Sequence, residues 1–364
     1  MKVQDICNYL DRIVPISYQE SYDNSGIQIG EPENIIESAL IALDVTEVVI
    51  DEAITKGCGL VVSHHPLLFE KVKNITGKTF VERIIIKCIK NNISVYSAHT
   101  NLDVIKGGVS FKMASLLGLK NIKVLSPLKD QLFKLVTFVP EKYLDKVRDA
   151  LFKAGAGEIG KYDCCSFVVK GEGSFRAGAG AKPFVGEKGK IHFENEVKIE
   201  IIIKAHLKEG VIKALLDVHP YEEVAYDVYK LENKYQEAGL GCVGELHESV
   251  DEKAFIKLLG DIFDAKGIRF SAKIDKKIKR VSVCGGSGMS LLNEAVASGS
   301  QAFVTGDTKY HNFFDVDKRL LLVDIGHFES EKFATELLYD LIIKKFPKFA
   351  VRFSEINTNP INYF

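Results

Sequence analysis

Three short segments of the chain carry side chains able to bind a metal ion. Ser63-His64-His65-Pro66 comes directly after the apolar run Leu60-Val-Val. Neutral imidazole is a common metal ligand, and the proline restricts the backbone of His65, which helps to fix its direction. The plainer alternative is one histidine capping a turn and the other solvated. Asn101-Leu102-Asp103 follows the next apolar run, which brings Asp103 to the same sheet edge, either as a ligand or as a helix cap. His99, just before it, suits a hydrogen-bonding or proton-relaying role better than a ligand's. The third segment is Asp324-Ile-Gly-His327-Phe-Glu-Ser-Glu331, where His327 and Glu331 stand four apart and so share one face of a helix. Its alternative is that Glu329 and Glu331 simply favour a helix N-terminus. With three strand ends offering His64, His65, Asp103, His327 and Glu331, a metal site is the expectation.

The elements that must position these residues alternate in type. Ser38–Val45 and Leu60–Ser63 read as strands, as do Ile93–Ala98, Arg280–Cys284, Ala302–Thr305 and Leu320–Asp324. Between them Glu47–Lys56, Thr79–Asn91, Val109–Leu117 and Ser290–Ala297 read as helices, with a last long helix from about Phe328 to Lys345. Apolar strands alternating with helices predict an α/β fold with a mostly parallel sheet covered on both faces. Ligand side chains then gather at the carboxyl ends of the strands.

The middle of the chain has a different rhythm. Strand-like Leu132–Val139, Cys164–Lys170, Glu196–Lys204 and Val224–Leu231 are interleaved with helical Glu141–Ala154 and Lys208–Val218. The order β-α-β-β-α-β is that of a ferredoxin-like α+β unit. We therefore divide the chain into residues 1–128, an inserted domain at 129–238, and residues 239–364, the two outer parts forming one discontinuous α/β domain. A glycine-rich loop is expected from Gly171 to Gly189.

Composition narrows the partners. The 364 residues are 46% hydrophobic with a formal net charge of −1, which offers no electrostatic footprint for nucleic acid or an anionic membrane. No apolar run is long enough for a membrane span, and the N-terminus lacks the apolar stretch of a signal peptide. A cytoplasmic protein acting on a small molecule is the expectation. The seven cysteines form no CxxC pair, so reduced thiols fit better than disulfides or a zinc-ribbon site.

The motifs Tyr22-Asp23-Asn24-Ser25-Gly26, Ser63-His64-His65-Pro66, His99-Thr100-Asn101-Leu102-Asp103 and Gly326-His327-Phe-Glu-Ser-Glu331 resemble those of the NGG-one interacting factor three-like family. Bacterial members are often labelled GTP cyclohydrolase I type 2 homologues. The resemblance implies a di-metal site with His64, His65, Asp103, His327 and Glu331 as ligands, the last carboxylate bridging. The segment Val218-His219-Pro220-Tyr221-Glu222-Glu223-Val224 resembles the CutA/PII-like insert of longer bacterial members, and relatives tend to form hexameric rings, which implies a homo-oligomer. Tyr22 stands where relatives often have Trp.

Five mixed imidazole and carboxylate ligands cannot close two separate four-coordinate cages without sharing, so two metals would keep open positions, as catalytic sites do. Such donors suit zinc first, and also iron, manganese or cobalt. The function expected is metal-dependent hydrolysis of an unresolved substrate, with His99 relaying protons. The rival is a metal-binding regulatory or scaffold protein whose insert mediates assembly or binds an effector. Two loops keep open readings: Cys284-Gly285-Gly286-Ser287-Gly288 is either an anion cradle or a tight strand–helix turn, and Asp307 or His311 either supports the site or caps a turn.

Overall fold

The computed structural model describes residues 1–364 and separates into two compact units, Met1–Pro127 with Ala238–Phe364, and Leu128–Glu237. The first unit holds two sheets where the strand pattern alone suggested one. Its five-stranded sheet runs, in spatial order, Gly26–Ile29, Ser94–Ser97, Leu60–Ser63, Ser38–Ala42 and Ala350–Phe353. Every neighbouring pair is parallel except the first. The three inner strands, Ser94–Ser97, Leu60–Ser63 and Ser38–Ala42, are buried on both faces, which is why their sequences read as nearly unbroken apolar runs. Alternation sorts their side chains: Ile41, Leu60, Val62 and Tyr96 face the helices Val3–Ile13 and Ala334–Lys345. Leu40, Val61 and Val95 face the helices Glu47–Thr55 and Phe80–Lys90.

The second sheet of this unit has six strands, in the order Arg269–Phe270, Leu321–Asp324, Ala302–Thr305, Ile278–Val283, Tyr235–Val250 and Lys120–Leu128. Its centre is parallel: Ile278–Val283 pairs Ala302–Thr305, which pairs Leu321–Asp324. Val281, Val304 and Val323 pack on Phe255 and Leu259 of the helix Glu252–Phe263.

The terminal helix expected from Phe328 to Lys345 is two helices, His327–Glu331 and Ala334–Lys345. Ser330 explains the break. Its hydroxyl donates to the His327 carbonyl at 2.7 Å and accepts from the Gly286 amide at 2.9 Å, and such back-bonding competes with the helical ladder.

Residues Leu128–Glu237 form a four-stranded antiparallel sheet in the order Ser166–Arg176, Ile191–Lys204, Leu132–Pro140, Tyr226–Lys230. The helices Leu144–Lys153 and Lys208–Val218 complete the ferredoxin-like β-α-β-β-α-β order, packing Val147, Leu151, Val211 and Leu215 onto Ile199 and Ile201. The glycine-rich stretch is shorter as a loop than its composition suggests, because the first strand of the hairpin continues to Arg176. Gly173 belongs there for a steric reason: a Cβ at that position would lie 2.2 Å from the Glu196 carboxylate.

Candidate metal centre

Each sequence-selected residue reaches its place from the carboxyl end of a parallel strand. His64 and His65 follow Leu60–Ser63, where the Ser63 hydroxyl donates to the His65 carbonyl at 2.8 Å and the His65 amide donates to Leu43. Asp103 sits in the short helix Thr100–Val104 after Ser94–Ser97, and His327 and Glu331 occupy one short helix after Leu321–Asp324. The five-stranded sheet thus supplies three of the side chains and the six-stranded sheet two.

Glu331 stands at the centre. One of its carboxylate oxygens lies 2.8 Å from His327 Nε2, 2.9 Å from His65 Nε2 and 3.8 Å from His64 Nε2. His64 Nε2 is also 3.8 Å from Asp103 Oδ1, and the Nε2 atoms of His65 and His327 approach to 3.2 Å. One glycine makes this crowding possible. A Cβ on Gly286 would lie 2.1 Å from Glu331 Oε1, and Gly286 has a φ of 58°, where glycine is favoured.

The outer sides of the imidazoles fix their inner sides. His64 Nδ1 is 2.8 Å from the Ala98 carbonyl, His65 Nδ1 2.7 Å from Asp44, His327 Nδ1 2.6 Å from Asp307 and His99 Nδ1 2.8 Å from Asp23. A carbonyl or carboxylate can only accept, so each Nδ1 carries the hydrogen it donates. In a neutral ring the lone pair then belongs to Nε2, and for His64, His65 and His327 that atom faces the centre.

Lone pairs facing carboxylates need a positive charge between them. His64 is fully buried, and its Nε2 and Asp103 Oδ1 have no hydrogen-bond partner. Leaving two such atoms bare in the interior costs on the order of 1–3 kcal/mol each. The residues present therefore fit a cation, and three overlapping groups have donor atoms close enough to share one: His64, His65 and His99; His65, His327 and Glu331; His64, Asp103 and Glu331.

Electrostatics carry the same signature. Burial raises the Asp103 carboxyl to about 7, with the Glu331 charge adding to the rise and the imidazoles opposing it. Burial works against a charged His65, yet Asp44 and Glu331 outweigh it and raise the ring to about 9. His327, likewise desolvated, is raised to about 11 by Asp307 and Glu331. Glu331 is held well below the usual carboxylate range by the histidines despite its burial. Protons thus occupy this cluster where a cation would otherwise balance it. The nearby Cys284 thiol is pushed up to about 12, by burial first and then by Asp103 and Glu331, so it stays a thiol.

Sequence reasoning overlooked Asp23 and Asp44, the carboxylates that orient His99 and His65. Their only signal was position: Asp44 ends a strand beside the histidine pair, and Asp23 lies in the Asp-Asn-Ser-Gly segment. Asp307, left open between support and turn cap, orients His327, whereas His311 packs with Tyr310 and Phe314. The Gly285–Gly288 turn is no anion cradle, because the amides of Gly285, Gly286 and Gly288 donate to Ser110, Ser330 and Thr305.

Fold and cluster together define a discontinuous α/β protein with a centre able to hold metal, built where a mostly parallel sheet meets the parallel centre of a mixed one. The chain belongs to the Duf34/NIF3 (NGG1p interacting factor 3) family, whose model matches residues 1–360. It is 41% identical to a Halalkalibacterium halodurans protein and 40% identical to a Bacillus subtilis protein, each named GTP cyclohydrolase 1 type 2 homolog. Both alignments cover 99% of this chain and 98% of the relative. Among solved structures, a Bacillus cereus protein related to NIF3 aligns over 100% of this chain and 99% of its own, with a TM-score of 0.86 at 39% identity. No helix is long and apolar enough to cross a membrane.

Proposed function

We propose that the chain is a dinuclear metal-dependent hydrolase in which His64, His65, Asp103, His327 and Glu331 hold two divalent cations. Zinc is the first choice, with iron, manganese and cobalt as the other metals the nitrogen and oxygen donors suit. The observation that carries the reading is the pair of buried, unpartnered atoms, His64 Nε2 and Asp103 Oδ1, turned toward a carboxylate shared by three imidazoles. Bound there, the cations supply Lewis acidity and activate water for attack on a carbon or phosphorus centre. The chain's own part is to fix the donors through Asp44, Asp307 and the Ala98 carbonyl, and to hold a proton on His99 through Asp23. In this reading His99 serves as the relay between the centre and the leaving group.

The substrate in this reading is a small molecule with an ester, phosphoester or cyclic amide bond, acted on in the cytoplasm by a homo-oligomer, a hexamer by likeness to the family. The inserted ferredoxin-like unit, similar to CutA/PII-like domains, serves assembly or effector binding. Elemental analysis of protein purified without added zinc, followed by that substrate panel with and without chelator, is the test. Two metals per chain and chelator-sensitive turnover are expected. A metal-loaded protein inert across the panel, and binding partners equally well after its ligands are replaced, would instead be the regulatory scaffold.

A further inference from the structure

Beside the cluster the protein keeps two large aromatic rings in water. Tyr22 is 62% and Phe69 49% exposed, and the rings meet edge to face with centroids 6.2 Å apart. Phe69 continues to His99 at 6.1 Å, and His99 lies 5.3 Å from His64 and 5.4 Å from His65. An unbroken aromatic row therefore leads from solvent to the candidate metal centre.

These rings are not on loose loops. The Asn24 side chain donates to the Leu68 carbonyl at 2.7 Å. Gln28 accepts from the Leu68 amide at 3.1 Å and donates to the Asn24 carbonyl at 2.6 Å. Next to Tyr22, the buried Asp23 carboxylate accepts from the Thr100 amide and hydroxyl and from His99. Two segments far apart in sequence are thus stitched together so that both rings stand outward at the rim. A rigid, exposed apolar pair at the mouth of a polar site is suited to a partner that is flat and apolar at one end and polar at the other.

We propose that Tyr22 and Phe69 form the wall against which a substrate's planar aromatic or heteroaromatic ring rests, its hydrolysable group reaching the metal centre. This rests on the dinuclear hydrolase reading and adds to it the class of substrate: a small molecule joining a flat ring to an oxygen-rich electrophilic group. The two rings would meet the substrate's ring in the offset or edge-to-face contacts aromatic pairs prefer.

The test uses two stable probes that differ only in the ring, phenylphosphonate and ethylphosphonate, titrated by calorimetry into the zinc-loaded full chain. The wild-type protein is expected to prefer phenylphosphonate by about tenfold. The Tyr22→Ala/Phe69→Ala protein should bring that preference close to one, with ethylphosphonate affinity and metal content unchanged. Because the chain contains no tryptophan, Tyr22→Trp supplies a single emitter whose fluorescence should respond to phenylphosphonate and not to ethylphosphonate. A preference that survives the double substitution overturns the proposal. So does an altered assembly state with the preference intact, which would make the rings a contact between copies, and so does a metal-loaded chain that binds neither probe. A wild-type chain that takes up no metal fails at the earlier step, sinking the hydrolase reading and the inference with it.

Discussion

Thr358 donates its hydroxyl to Asp44 at 2.5 Å, while the other oxygen of that carboxylate takes the Nδ1 hydrogen of His65 at 2.7 Å. A residue near the end of the chain is thereby linked through one carboxylate to the centre of the site. Outer partners of metal-binding histidines typically change affinity 10–100-fold when lost. We predict that Asp44→Asn weakens metal binding by about that range, and that Thr358→Val weakens it less while Thr358→Ser restores it. Competition with a chelator of known affinity measures this; equal affinity for Thr358→Val and wild type would show the link to be ornamental.

Replacing His65 or Asp103 with alanine should cost metal and leave the fold standing, since His65 projects from a strand-end turn, Asp103 from the short helix Thr100–Val104, and neither belongs to an apolar core cluster. Elemental analysis beside circular dichroism decides the matter. A folded variant that retains full metal removes its residue from the ligand set.

The contrast between Glu331→Gln and Glu329→Gln follows from their places on one short helix. Glu331 faces three imidazoles, and its charge offsets repulsion between neighbouring cations, so its loss should release at least one metal. From sequence Glu329 reads as an indifferent neighbour, yet only 5% of it is exposed, and it accepts from the Asn359 amide at 3.2 Å. Glu329→Gln should therefore lower thermal stability by about 1 kcal/mol, the scale of a buried hydrogen bond, with metal content unchanged. Loss of metal in both variants to the same extent would defeat the assignment of faces.

Acidity gives two opposite trends. In the metal-free chain His65 is raised to about 9 and His327 to about 11. A raised histidine stabilises the folded state below its unfolded value near 6.5, and that contribution is lost as pH climbs through the raised value. Stability of the metal-free protein should fall across pH 7–9 from this source. Metal affinity should rise over the same window, because each cation must displace those protons. Unfolding and chelator titrations at several pH values measure both, and parallel trends would contradict the proton-for-cation exchange.

Removal of Leu128–Glu237 with a short flexible linker should preserve metal binding, because all five candidate ligands lie in the other unit. The join is sterically simple: a Cβ at Gly239 would lie 2.7 Å from the Pro127 backbone, so the cut ends are neighbours. Loss of both metals from a folded deletion protein would mean that the insert helps build the site.

Much of this was legible in the chain because it is written locally. Buried parallel strands show as short apolar runs, and candidate ligands at their carboxyl ends show as polar residues just after them, as with His64 and His65. His327 and Glu331 announce their shared face through spacing alone. What escaped depends on packing across long separations. Asp44 is an ordinary strand-end acid until His65 and Thr358 close on it, and Asp23 is a turn residue until His99 and Thr100 arrive. The helix Val3–Ile13, with Val3, Ile6, Cys7 and Leu10 on one face, had the required period and was still passed over. One sheet was expected because strand runs carry no mark of which neighbour they choose.

The strand Ala350–Phe353 lies parallel against Ser38–Ala42 and closes that edge of the five-stranded sheet. During synthesis the Ser38–Ala42 edge emerges long before its partner Ala350–Phe353. At about 5–20 residues per second the ribosome leaves that edge unpaired for on the order of tens of seconds, exposing a hydrogen-bonding template that invites foreign strands. His64, His65 and Asp103 wait through the same interval for His327 and Glu331. A nascent chain therefore holds three of the five candidate ligands and an open sheet edge until His327, Glu331 and Ala350–Phe353 have been made, and a product truncated before them completes neither.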